Sequence, residues 1–161
     1  MATQKTTLPR TVPNDGIESF IGKRELKEIN AETGIATFRI SPSTGNGPDA
    51  PDYSVPVSAI LPGREEDTPQ FWKMLVGSMI KLLRERNQFP NFIKGYTVTV
   101  GDDSSGDPAF YVRLGVTPQR SYPKATVSEW NRFSNLLHSN LIGLRLQRYP
   151  YIQVGESRGS R

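Results

Sequence analysis

Residues 126–161 read TVSEWNRFSNLLHSNLIGLRLQRYPYIQVGESRGSR, and this stretch organises the rest of the chain. Its first half places apolar residues three or four positions apart, which predicts an amphipathic helix with one buried side. Thr126 and Glu129 form a Thr-x-x-Glu capping box, so we expect the helix to begin there. The predicted buried stripe contains Val127, Trp130, Phe133, Leu136, Leu137 and Leu141.

Gly143 predicts the end of this helix. The residues that follow, Leu144–Gln147, change to a period of two, which favours an extended strand. A helix that continues to Arg148 is the alternative, because a single glycine inside a helix costs only about 1 kcal/mol. We therefore expect a packed helix followed by a short basic strand, with Tyr149–Tyr151 interrupting either pattern.

The basic charge of the chain is concentrated in this region. From Arg120 to Arg161 there are seven Lys or Arg and two Glu, a net charge of +5, whereas the full chain of 161 residues carries +4. The residues before Arg120 therefore sum to −1. A basic region of this kind favours a polyanion or an acidic partner protein as its ligand.

Aromatic rings are interleaved with these cations, a combination in which cations contact phosphates while rings stack on bases. Two further candidates lie on the outward side of an upstream strand. The alternative is that the arginines form a solvated surface and that Trp130 belongs to the core. The predicted nucleic-acid-binding residues are Arg113, Arg120, Lys124, Arg132, Arg145, Arg148, Tyr111, Tyr149 and Tyr151.

Two β-hairpins are predicted upstream of this region. The first joins Glu25–Asn30 to Ile35–Ile40 through a turn that ends at Gly34. The second joins Phe92–Val100 to Ala109–Val116 through a long polar loop. In both, β-branched and aromatic residues alternate with polar ones, as in strands with one buried side.

An edge strand and a helix are predicted between the hairpins. Tyr53–Leu61 has β-branched character, but Pro56 cannot donate to a sheet ladder and indicates an edge strand or a bulge. The sequence Asp67-Thr68-Pro69 supplies an N-cap and a first-turn proline for a helix that Pro90 ends. Its predicted stripe contains Phe71, Trp72, Leu75, Val76, Met79, Ile80, Leu82 and Leu83.

These elements predict an α+β fold: a single small domain with two β-hairpins, two main amphipathic helices and a C-terminal basic strand. We expect a flexible N-terminal arm at residues 1–15, the α+β domain at residues 16–155 and a flexible basic C-terminal tail at residues 156–161. The arm is either disordered or ordered along a neighbouring subunit. Ser41–Asp52 is rich in Pro and Gly and predicts a surface loop. No run approaches the roughly 18 apolar residues of a membrane span, so we expect none.

Patterns for catalysis and metal binding are weak. The chain has no cysteine and a single histidine, His138, whose helical neighbours include no carboxylate that would orient its ring. The loop after the second hairpin's first strand holds Asp102, Asp103 and Asp107, which predicts either a bound cation or a solvated loop. We predict no catalytic residue, no metal and no cofactor, and that the chain is not an enzyme.

The chain combines terminal arms, Pro-rich loops and a basic C-terminal region, and it shows no catalytic pattern. These features favour a non-enzymatic structural protein that assembles with copies of itself around nucleic acid, with RNA favoured over DNA. A viral or phage coat or virion protein has this character, and its location would be the virion or the host cytoplasm. The alternative is an adaptor or assembly factor, for example a phage connector or tail component. Such a protein would use the same basic surface for an acidic protein partner.

Overall fold

A computed structural model describes residues 23–41 and 52–156 of the chain. Two three-stranded sheets and two α-helices make up this described part, which confirms the predicted α+β class. Residues 1–15, residues 42–51 of the predicted loop and the tail after residue 156 lie outside it.

The described residues divide into two compact units. One consists of residues 23–28, 36–41 and 52–55, and the other of residues 29–35 and 56–156. The predicted limits of the arm, the domain and the tail stay predictions.

The N-terminal sheet has the strand order β1-β2-β3. The turn of the predicted hairpin is confirmed: the Gly34 N–H donates to the Asn30 carbonyl at 2.8 Å, and the φ of Gly34, +72°, favours glycine. The third strand lies at the edge, as the proline predicts. It is shorter than the predicted Tyr53–Leu61, because it ends at Pro56 and a short 3-10 helix, Val57–Ala59, follows. The strands are β1 (Lys23–Asn30), β2 (Ile35–Ser41) and β3 (Tyr53–Pro56).

Helix α1 spans Pro69–Glu85 and begins as predicted. The Thr68 side chain caps it by accepting a hydrogen bond from the Phe71 N–H at 3.1 Å. Pro69 occupies the first turn, where its missing N–H costs nothing. The predicted stripe is buried except for Leu82, which is half-buried.

The C-terminal sheet has the order β4-β5-β6, and β4 and β5 form the predicted antiparallel hairpin. β5 and β6 pair in parallel, and helix α2 connects them. α1 packs against β4, α2 against β6, and the two helices touch, so both cover the same side of this sheet. Trp72 of α1 stacks on Phe110 of β5 with 4.8 Å between ring centroids. The elements are β4 (Ile93–Asp102), β5 (Pro108–Val116), α2 (Lys124–Ile142) and β6 (Tyr149–Glu156).

The predicted start of α2 is wrong. The helix begins at Lys124 after Pro123, and no side chain caps it, so Thr126 and Glu129 lie inside its first turns. Proline restricts the residue before it to extended conformations, which stops the helix from reaching further back. Of the predicted stripe, Phe133, Leu137 and Leu141 are buried, and the other members, Val127, Trp130 and Leu136, are half-buried.

The predicted end of α2 is confirmed, but the strand after it begins later than expected. The Gly143 N–H donates to the Ser139 carbonyl at 3.0 Å. Residues 144–148 form turns and irregular backbone, and β6 begins at Tyr149. The strand therefore follows Arg145 and Arg148 instead of containing them. Pro150 is tolerated within it because β6 is an edge strand.

Neither α1 nor α2 is long and apolar enough to cross a membrane, and no other described helix is.

Candidate nucleic-acid interface

One side of the C-terminal sheet is left uncovered by the helices. Phe110, Val112 and Leu114 of β5 are fully buried on the helix side, so the residues between them point to the opposite side. Residues paired across a ladder share a side, and the registers therefore extend this surface onto β4 and β6. We call it the open face. Its half-buried or exposed side chains are Thr97, Thr99, Tyr111, Arg113, Tyr151 and Gln153.

Three tyrosine rings form a cluster at one end of the open face. Tyr111 and Tyr151 are paired across β5 and β6 and stack with 5.3 Å between ring centroids and 17° between planes. Tyr149, two residues before Tyr151, lies 5.0 Å away at 59°. Tyr149 is 45% exposed, so a large part of its ring is open to a ligand. We call Tyr111, Tyr149 and Tyr151 the tyrosine cluster.

Hydrogen bonds hold the hydroxyl of each ring. The Tyr111 hydroxyl donates to the Asp102 carbonyl at 3.1 Å, and the Tyr151 hydroxyl to Asp103 Oδ2 at 3.0 Å. This bond to Asp103 is the main cause that raises the pKa of Tyr151, so its phenol stays protonated. The Tyr149 hydroxyl lies 3.1 Å from His138 Nε2. His138 thus orients a tyrosine, and no carboxylate orients His138 in turn among the hydrogen bonds of the described ranges.

Arg113 lies on the open face, two residues along β5 from Tyr111. It is exposed and forms no ion pair with any residue that the structure describes. Its guanidinium lies over Gly155 of β6, where a Cβ would be only 2.6 Å from Arg113 Cζ. Glycine at position 155 therefore makes room for the planar guanidinium next to the sheet.

No protein-family model, no curated protein and no solved structure matches this chain. We therefore infer what the open face can bind from its side chains alone. Aromatic rings can stack on bases, a guanidinium can pair with a phosphate, and Thr97, Thr99 and Gln153 can exchange hydrogen bonds with sugars or base edges.

Asp103 of the β4–β5 loop is engaged by the protein through its carboxylate. Asp103 Oδ1 accepts hydrogen bonds from the Ser105 and Asp107 N–H groups at 2.9 and 3.0 Å. The Asp107 N–H is the main cause that lowers the pKa of Asp103, and the Tyr151 hydroxyl adds to it. Across residues 23–41 and 52–156, no three Asp, Glu or His side chains are placed to hold a metal ion. Both carboxylate oxygens of Asp103 are thus hydrogen-bonded, and the choice between a bound cation and a solvated loop stays a prediction.

Arg148 does not lie on a binding surface, contrary to its place among the predicted residues. It is buried, and its guanidinium pairs with Asp67 at 2.8 Å. Its Nη1 also donates to the carbonyls of Gly101 and Ala109, at 3.0 and 3.2 Å. A nucleic acid cannot reach this guanidinium without displacing these partners, so we exclude Arg148 from the candidate site.

The other predicted cations are exposed but dispersed. Lys124 begins α2 and Arg120 shortly precedes it, whereas Arg145 follows the far end of the helix. The helix has 19 residues, which separates its ends by about 28 Å. Arg132 pairs with Glu129 at 2.7 Å on the helix surface. Of all the predicted cations, only Arg113 shares the open face with the tyrosine cluster.

Four residues of the open face were missed by the sequence predictions. Thr97 and Thr99 had a usable signal, since they alternate with Val98 and Val100 along a strand. Gln153 continues the alternation of Tyr149 and Tyr151, which was hidden because the Tyr-Pro-Tyr sequence was interpreted as a break. Gly155 carried no signal, because its importance comes from the neighbouring strand.

Proposed function

We propose that this chain binds single-stranded nucleic acid, with RNA preferred over DNA, through the open face of its C-terminal sheet. We further propose that it does so as a non-enzymatic structural protein that assembles with copies of itself, of the viral or phage coat or virion type. The virion or the host cytoplasm would then be its location. The observation that carries the binding proposal is the tyrosine cluster beside Arg113, which has no ion-pair partner within residues 23–41 and 52–156, on the side of the sheet that α1 and α2 leave open.

The tyrosines supply a stacking surface whose position is fixed. Stacking of a base on an aromatic side chain contributes about 1–3 kcal/mol, and it requires no particular base because every base has a π face. Tyr111 and Tyr151 support each other by stacking, and their hydroxyls are held by hydrogen bonds. The most exposed ring, Tyr149, is therefore the expected contact for the first base.

The charges on the open face indicate where the phosphates would lie. Asp103 places a negative charge next to the Tyr151 hydroxyl and would repel a phosphate at that end. Arg113 lies further along β5 and offers a planar guanidinium that suits phosphate oxygens. Thr97, Thr99 and Gln153 offer donors and acceptors to ribose 2′-hydroxyls, which supports the preference for RNA. The bases are thus expected over the tyrosines and the backbone towards Arg113.

Removing the most exposed ring tests the stacking. Tyr149→Ala is expected to weaken binding of a fluorescently labelled single-stranded RNA by about 1–3 kcal/mol. Tyr149→Phe keeps the ring and is expected to bind almost as the wild type does. Equal losses in the two variants would assign the effect to the hydroxyl and its contact with His138, and would contradict stacking.

The salt dependence of binding tests the role of Arg113. One phosphate contact on a single strand contributes about −0.7 to the slope of log affinity against log salt concentration. Arg113→Gln should therefore reduce the slope by about this amount. Arg132→Gln is the matched control, because Arg132 is exposed but lies on α2 and pairs with Glu129. Equal changes in both variants would indicate a diffuse charge effect and contradict the proposed site.

Two further measurements test the remaining parts of the proposal. A polyglutamate peptide can bind cations but cannot stack on aromatic rings. The adaptor alternative would be supported if the protein binds this peptide tightly, binds RNA weakly, and keeps its affinity for the peptide in Tyr149→Ala.

Light scattering tests assembly. If the protein stays monomeric at high concentration and with added RNA, the assembly part of the proposal fails.

A further inference from the structure

Strand β4 forms one edge of the C-terminal sheet. The order β4-β5-β6 gives it one neighbour, and no other described strand pairs with it. It has 10 residues, Ile93–Asp102, which is longer than the usual strand of about 5–6 residues. An edge of this length presents a row of N–H and C=O groups that another strand can pair with.

The devices that usually protect an edge strand are almost absent from β4. Pro150 lacks an N–H donor in β6, at the opposite edge of the sheet, and Pro56 lacks one in β3. β4 contains no proline, one lysine, Lys94, and one irregularity, between Ile93 and Gly95 at its first end. The central run from Tyr96 to Val100 is regular and has no charge.

The sequence of β4 is complementary to itself when the strand is reversed. In an antiparallel pair centred on Val98, Lys94 of one copy comes opposite Asp102 of the other by residue count, once at each end. Lys94 is the residue at the irregularity and has no partner in β5, so the regular part of the pairing is the run from Tyr96 to Val100. Thr97 then faces Thr99, and Tyr96 faces Val100. Opposite charges, paired threonines and an aromatic residue beside a β-branched one are favourable cross-strand pairs. Shifting the register by two residues in either direction separates Lys94 from Asp102.

We propose that β4 pairs antiparallel with β4 of a second copy of this chain, centred on Val98, so that two C-terminal sheets become one six-stranded sheet. The pair is related by a two-fold axis perpendicular to the sheet, which is the usual symmetry of protein dimers. A rotation about this axis keeps each side of the sheet on the same side. The two open faces therefore become one continuous surface.

The pairing aligns complementary groups from the two copies in one row across the sheet. Tyr151, Tyr111 and Thr99 follow each other across one copy. In the proposed register the row continues with Thr97, Arg113 and Gln153 of the second copy. At about 4.8 Å per strand, the row spans roughly 24 Å. The dimer itself rests only on β4, so it can hold even if the open face does not bind nucleic acid.

Charge reversal at the ends of β4 tests the register in the full-length protein. Sedimentation equilibrium is expected to show a dimer, and Lys94→Glu to raise its dissociation constant about tenfold, because both ends of the pair then carry like charges. The double variant Lys94→Glu, Asp102→Lys restores opposite charges and should restore the dimer. Lys81→Glu is the matched control, since Lys81 is exposed and belongs to α1, not to β4.

Cysteine pairing gives a second test that remains decisive if Asp102→Lys fails to fold. The chain has no cysteine, so an introduced thiol is unique. A mixture of Thr97→Cys and Thr99→Cys proteins should form an intermolecular disulfide, because these positions face each other in the proposed register, whereas either variant alone should form much less. The proposal is overturned if the protein stays monomeric. It is also overturned if the protein forms a dimer that Lys94→Glu leaves unchanged and in which the mixed thiols do not pair.

Discussion

Arg148 and Asp67 form a buried two-pronged ion pair: Arg148 Nε and Nη2 donate to the two carboxylate oxygens of Asp67 at 2.9 and 2.8 Å. Asp67 also accepts hydrogen bonds from the Trp72 indole and from the Gly63 N–H, at 2.7 and 2.8 Å. The Asp67 and Arg148 side chains are 3% and 10% exposed. This pair joins the segment before α1 to the start of β6.

Removing the charge of Asp67 should destabilise the protein strongly. Asp67→Asn leaves the Arg148 guanidinium buried without a counter-ion, and we expect the free energy of unfolding to fall by about 3–5 kcal/mol. Urea denaturation measures this loss. The control is Glu129→Gln, which breaks the exposed pair with Arg132 and should cost only about 0.3–0.5 kcal/mol. Losses of similar size in the two variants would mean that the buried pair contributes no more to the free energy of unfolding than the exposed pair does.

The same pair predicts a pH dependence of stability. Burial raises the pKa of the Asp67 carboxyl, but hydrogen bonds from Arg148, from the Gly63 N–H and from Trp72 outweigh burial, and the pKa falls from 3.8 to about 2. Because the folded-state pKa is lower than the unfolded one, this stabilisation is present above about pH 4 and is lost as the pH falls towards 2.

The protein is expected to lose about 2 kcal/mol of stability in this way, because lowering a pKa by one on folding corresponds to roughly 1.4 kcal/mol. Denaturation of the wild type and of Asp67→Asn at several pH values measures this loss. The difference in stability between them should shrink by this amount between pH 4 and pH 2. A difference that stays constant over this range would show that Asp67 titrates normally.

Gly77 of α1 and Tyr96 of β4 should show strong coupling. A Cβ at position 77 would lie 2.6 Å from the Tyr96 hydroxyl oxygen but 3.8 Å from its Cζ. Gly77→Ala alone gains about 1 kcal/mol of helix propensity but displaces the Tyr96 ring. We therefore expect it to change the free energy of unfolding little. With Tyr96→Phe added, the colliding oxygen is gone and the gain should appear. A double-mutant cycle by thermal denaturation measures the coupling, and strictly additive effects would contradict the close contact.

Arg145 should be replaceable by glycine with a gain in stability. It has a φ of +58°, a conformation that costs a residue with a side chain about 1 kcal/mol relative to glycine. Arg145→Gly is expected to raise the free energy of unfolding by about 0.5–1 kcal/mol, measured by urea denaturation. The control is Asn87→Gly, since Asn87 has a φ of +57° but asparagine tolerates this region better. Destabilisation by Arg145→Gly would show that the arginine side chain makes a contact that matters.

The elements whose signals are local were predicted well. The cap of α1 depends on Thr68 and Pro69, which are neighbours in the chain, and the end of α2 depends on Gly143. The predicted start of α2 was wrong because two local signals competed. A capping box at Thr126 was possible, but Pro123 had already set the start two residues before it.

The candidate site was predicted in part. Tyr111 and Arg113 were placed on the outward side of β5 from the alternation of side chains, and the structure places them on the open face. The tyrosine cluster was not predicted as a unit, because it depends on β6 pairing in parallel with β5 after a helix of 19 residues. No local pattern specifies which strand a segment will pair with or in which register.

The sequence by itself determined the α+β class, the hairpins, the buried stripe of α1 and the concentration of basic charge near the C-terminus. It determined the α2 stripe in part, at Phe133, Leu137 and Leu141. Only the tertiary structure decided which of those charges remain available. Arg145 and Arg148 are three residues apart, yet one is exposed and the other is buried. The difference comes from Asp67, 81 residues earlier in the chain than Arg148, because an arginine can be buried only where a carboxylate and carbonyl groups replace its hydration.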